Sequence, residues 1–202
     1  MPSQPRSETT SPAPGVIANE RLTSLTGALL FVLLAAMGVT VLSVRTLLPE
    51  HFLIGFVLIP PLGLKMATTG YRFARYYLGD HSYRLAGPPQ LLLRLTAPLV
   101  VASTVVLFGT GIELWLFGLR YGSVWIEWHK LSFGVWLVVT AIHVLGHLKQ
   151  TGEAAAGELS LPSGREALTR RSLVLASLST GILVALATLP FHSPFIFFGD
   201  GG

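Results

Sequence analysis

The stretch WHKLSFGVWLVVTAIHVLGHL, residues 128–148, holds three histidines and one lysine in an otherwise apolar run. From Leu131 to Leu148 it has no Asp, Glu, Lys or Arg. A run of that length reads as a helix that crosses the hydrocarbon of a bilayer. An open strand there would leave backbone N–H and C=O groups without partners. Residues on a helix advance by about 100°, so His129 and His143 lie about 40° from eclipsed. His129 and His147 coincide after about five turns. Trp136 and Thr140 fall on the same stripe. Fourteen residues rise about 21 Å, which puts His129 in one leaflet and His143 in the other.

The rest of the chain repeats this character. Of 202 residues, 51% are hydrophobic and 12% charged. A soluble domain carries about 25% charged residues, so the composition points to a membrane protein. Five apolar segments are present: Leu22–Val44, Phe52–Tyr71 with Lys65 inside, Leu95–Leu119 with Glu113 near its far end, Leu131–Leu148, and Ser172–Leu189 followed by FHSPFIFF. The runs are neither short nor alternating, as barrel strands would be. The expected fold is an all-α integral membrane bundle of five transmembrane helices, with a four-helix core from the first four and a C-terminal helix beside it. The absence of cysteine removes disulfides, thiolate-held clusters and covalent haem attachment.

The organisation follows from these runs. Residues 1–20, rich in Pro and Ser, read as a disordered tail. Residues 21–148 form the transmembrane core, 149–171 a small-residue linker, and 172–202 the fifth span with a short tail. The net charge of +4 comes from Lys and Arg in the loops. That pattern is the signature of membrane topology, and nucleic-acid binding is not expected. Arg6, Arg21, Arg72, Arg75, Arg84, Arg94, Lys149, Arg165, Arg170 and Arg171 share one side; Arg45, Arg120 and Lys130 share the other. The first side is the expected cytoplasmic one, with the N-terminus inside and the C-terminus outside a bacterial plasma membrane. The basic, aromatic loop from Tyr71 suits the lipid interface, and anionic headgroups would bind there. Pro60-Pro61 should free carbonyls within the second span.

That second span carries the complement of the histidine stripe. His51 and Lys65 are fourteen apart, as are His129 and His143, and the segments EHFLIGFVLIPPLGLK and WHKLSFGVWLVVTAIH form a weak repeat. The two spans run in parallel, so His51 matches the depth of His129 and Lys65 that of His143. Facing imidazoles on two helices in lipid are what a haem iron requires. The expected site is one b-type haem held by His51 and His129, with Arg45, Arg120 and Lys130 near its propionates. A second haem would take His143 or His147, with Lys65 in the partner's place and Met66 about 100° off the stripe. The plainer alternatives are that His51, His129 and His147 are interfacial residues at helix ends. Lys65 would snorkel or bond a neighbouring helix, and Glu113 would pair with Arg120 or Lys130. His81 and His192 are expected in solvent.

With the second and fourth spans side by side, residues 22–148 resemble the small bacterial b-type cytochrome subunits that anchor or serve oxidoreductases. Di-haem members of that group supply four histidines in two layers, and Lys65 departs from the pattern. NERLTSLTG, IPPLGLKMATTGYRFARYYLGD, AGPP and HKLSF…H also resemble a set of actinobacterial multi-pass membrane proteins, a likeness that carries no activity. The resemblance implies an electron carrier or membrane anchor, with the bilayer and a redox subunit or quinone as partners. Two other classes compete. One is a small transporter or proton conductor using Lys65 and His143 as a relay. The other is an assembly protein whose small residues, as in TGALL and AAMG, pack against another complex.

Overall fold

A computed structural model describes residues 13–88, 91–146, 148–160 and 164–197. All regular structure among them is helical. Helices α1 (Pro14–Leu42), α2 (Leu48–Tyr77), α4 (Leu91–Phe117), α5 (Val124–Leu145) and α7 (Arg165–Thr188) are each long and apolar enough to cross a membrane. Three shorter helices accompany them: α3 (His81–Leu85), α6 (Leu148–Ser160) and α8 (Pro194–Phe197). The protein is an all-α, multi-pass helical bundle.

The helices sort into two groups. α1 and α2 pack as one hairpin and α4 and α5 as another. α7 lies along α2 and touches α1, whereas α2 and α4 meet only lightly. The fifth span is therefore a full member of the bundle. Outward faces are apolar, with Leu42 87% and Leu145 73% exposed. Inward faces carry hydroxyls: Thr26, Thr40, Thr68, Thr96, Thr104 and Thr110 are all buried. Lipid is as apolar as leucine, so spans associate through close packing and hydrogen bonds.

α2 continues through Pro60 and Pro61. Pro61 has no N–H, so the Val57 carbonyl lacks its helical donor. α7 brings Gly181 against that carbonyl, where a Cβ would collide with the Val57 oxygen. The close α2–α7 approach depends on glycine there.

The chain's ends differ from the simplest segmentation. α1 begins at Pro14, inside the stretch expected to be a tail; Pro is well suited to a first helical turn, and Val16 is buried. Within the stretch expected to be a linker, 149–171, α6 packs on α1, with Ala155 buried and the Thr151 methyl facing Gly27. Beyond α7, the aromatic tail folds back over the ends of α2 and α4. The Ser193 hydroxyl donates to the Trp115 carbonyl at 2.7 Å. Phe191 lies 4.4 Å from Trp115, which meets Phe56 at 4.8 Å, and Phe195 lies 6.2 Å from Phe52. Gly118, with φ +56°, ends α4 and leaves room for Pro194 and Phe195.

Candidate functional site

His51 stands in the first turn of α2 and His129 early in α5. Short turns reverse the chain just before each helix, from α1 into α2 and from α4 into α5. Both imidazoles therefore come to the same end of the bundle, one from each hairpin. Their ring centroids are 6.4 Å apart with planes at 87°. Both side chains are half-buried.

Each ring is held by a threonine on the other helix of its own hairpin. Thr40 Oγ1 of α1 is 2.9 Å from His51 Nδ1, and Thr110 Oγ1 of α4 is 3.0 Å from His129 Nδ1. Gly111 lies under the His129 ring, where a Cβ would stand 3.2 Å from Cε1. Ser132, one turn on, donates to the His129 carbonyl at 2.9 Å.

The α4–α5 contact continues this pattern towards the opposite end. Trp136 Nε1 donates to Thr104 Oγ1 at 2.9 Å, and Thr96 Oγ1 is 2.7 Å from His143 Nδ1. Thr96, Thr104 and Thr110 thus meet His143, Trp136 and His129 in antiparallel order. In the other hairpin, Lys65 Nζ donates to the Thr23 carbonyl of α1 at 2.8 Å and lies against Gly27. Asn19 Nδ2 donates to the Thr68 carbonyl at 3.2 Å. Lys65 therefore makes the interhelical hydrogen bond that was one of its two plain readings.

The remaining expected residues fall at the same end or outside the pair. Arg45 and Arg120 are exposed in the two turns beside the histidine pair, and Arg120 lies over the Tyr121 ring at 5.7 Å. Lys130 pairs with Glu127 at 3.1 Å. The expected pairing of Glu113 with Arg120 or Lys130 is not formed: both Glu113 carboxylate oxygens are buried and without a hydrogen-bond partner. Glu113 sits within α4, one turn inside the Gly118 bend, while the two cations lie beyond that bend or on the exposed face of α5. Met66 lines a cleft of about 220 Å³ between α2 and α4, with Ile59, Leu62, Gly63, Val105 and Phe108. His81 and His192 are exposed. His147 lies outside the described residues.

Sequence reasoning missed the threonines. Their signal was a shared spacing: Thr26 and Thr40 are fourteen apart, as are Thr96 and Thr110, matching the spacing on the partner helices. Among the described residues no three His, Asp or Glu side chains converge as ligands for a bare metal ion. What the fold and site define is a multi-pass membrane bundle with two imidazoles facing across two helical hairpins. No family model, no curated protein and no solved structure matches the chain.

Proposed function

We propose that the protein is a b-type haem-binding electron carrier, or the membrane anchor of an oxidoreductase, in which His51 and His129 would hold the iron. The carrying observation is the 6.4 Å separation of the two rings. Two metal–nitrogen bonds of about 2 Å plus the ring radii span about 6 Å between centroids, so the separation fits one shared iron. A porphyrin supplies four nitrogens of its own, so a converging set of three protein ligands is not required. The chemistry of the donors agrees: two imidazoles, one from each hairpin, with the Phe52 ring 6.3 Å from His51.

A bound haem supplies one-electron transfer within the bilayer. The chain's own contribution is to hold and orient. α2 and α5 supply the two imidazoles, and α1 and α4 fix their rings. The aromatic tail packs on Trp115 and Phe52 at that end. Arg45 and Arg120 supply positive charge at the same end for carboxylate groups. The cytoplasmic N-terminus, extracytoplasmic C-terminus, bacterial plasma membrane and a quinone or redox subunit belong to the same proposal; the Lys and Arg distribution supports the orientation.

The test is a visible spectrum of the detergent-purified protein from haem-replete cells, oxidised and reduced. The reading predicts a reducible low-spin haem spectrum, lost in His51→Ala and in His129→Ala. A colourless protein with intact helicity would turn the assignment towards a transporter or assembly role.

A further inference from the structure

We propose that Thr40 and Thr110 are positioning residues that fix the Nδ1–H tautomer of His51 and His129, so that each ring turns a bare Nε2 away from its threonine. The consequence for ligand strength rests on the haem reading above; the tautomer itself does not.

A threonine hydroxyl has one proton to give and two lone pairs. Thr40 Oγ1 donates to the Met37 carbonyl at 2.7 Å, and Thr110 Oγ1 donates to the Leu107 carbonyl at 2.9 Å. With that proton committed to the helix backbone, each oxygen faces an imidazole nitrogen as an acceptor. The contacts at 2.9 and 3.0 Å then require Nδ1 to carry hydrogen. A neutral imidazole has only one N–H, so Nε2 keeps its lone pair.

The middle rung of the α4–α5 contact shows the same polarity independently. An indole N–H can only donate, so Thr104 Oγ1 must accept from Trp136 at 2.9 Å. The histidine rungs at 129 and 143 stand on either side of it. Thr40 repeats the arrangement in the other hairpin. Thr40 and Thr110 approach from α1 and α4, each the hairpin partner of the helix that carries its histidine. Nε2, the other ring nitrogen of each histidine, is then the one able to bind a ligand.

An acceptor on Nδ1–H also raises the basicity of the ligating nitrogen. Loss of such an outer partner weakens metal binding by about 10–100-fold. In a haem site it also makes the imidazole a poorer donor, which favours the reduced state.

The experiment uses the full-length protein as Thr40→Val, Thr110→Val, Thr40→Ser and Thr110→Ser. Nitrogen NMR of histidine-labelled, haem-free protein should report Nδ1–H at His51 and His129 in the wild type and both Ser variants. Each Val variant should lose that signature at its own histidine. In haem-loaded protein, the Val variants should hold haem about 10–100-fold more weakly and show a raised midpoint potential, with both properties restored by Ser. An Nε2–H tautomer in the wild type overturns the proposal, as do Val variants with unchanged tautomers. If the wild type never takes up haem, the haem reading fails while the NMR arm still decides the tautomer. If a Val variant does not fold, the wild-type and Ser spectra still decide between the two tautomers.

Discussion

His51 and His129 each meet a threonine hydroxyl at Nδ1 and the other imidazole across the gap. His81 has neither and lies exposed at the start of α3. His81→Ala should therefore leave haem content at the wild-type level, while His129→Ala should abolish it, measured as haem per chain after purification. Lys65 has a different duty. Its bond to the Thr23 carbonyl joins α1 to α2 at the end away from the histidine pair. Lys65→Met should lower stability by about 1–2 kcal/mol in a thermal melt and leave haem content unchanged. The two histidines were legible because fourteen residues on a helix keep a side chain on one face. The threonines were not, because a hydroxyl in an apolar helix ordinarily satisfies itself on its own backbone. Here it does that and also meets a ring on the next helix, a tertiary partner that the shared fourteen-residue spacing does not name. Glu113 was misread for a related reason: its charge suggested a rim partner, but its depth within α4 set its surroundings.

Among the elements, α2 depends most on its neighbours. The pair Pro60-Pro61 announced in sequence that a carbonyl would be freed, and the Val57 oxygen is one that results. What sequence left open was the neighbour, because α7 is more than a hundred residues away along the chain. Gly181 fills that place, and any Cβ there meets the Val57 carbonyl. Gly181→Ala should destabilise the bundle by about 1–3 kcal/mol through overpacking. Gly134, on α5, has open space where a Cβ would go. Gly134→Ala is the matched control and should be neutral or slightly stabilising in the same thermal melt. α6 was hidden in sequence because its helix is short, polar and rich in alanine. It packs on α1, where Thr151 meets Gly27.

For the whole molecule, five apolar runs were enough to give five spans, since length and hydropathy are local properties. Their grouping was not local. The division into an α1–α2–α7 group and an α4–α5 hairpin arises from glycine contacts and hydroxyl bonds between distant segments. The proposed orientation is open to a direct test because the chain has no cysteine. Arg84→Cys should be labelled by an impermeant reagent only from the cytoplasmic side, and Arg45→Cys only from outside. The reverse pattern would invert the topology drawn from the loop charges. The two groups touch lightly along α2 and α4 and are tied at the histidine end by the aromatic tail. A ligand gripped from both hairpins would hold that seam together.

Whether His51 and His129 share one iron is answered most directly by electron paramagnetic resonance of the oxidised, purified protein. Imidazole planes at 87° predict a strongly anisotropic low-spin ferric signal, present at one haem per chain and absent from His51→Ala and His129→Ala. A high-spin signal, or a low-spin signal that survives both substitutions, would contradict the account.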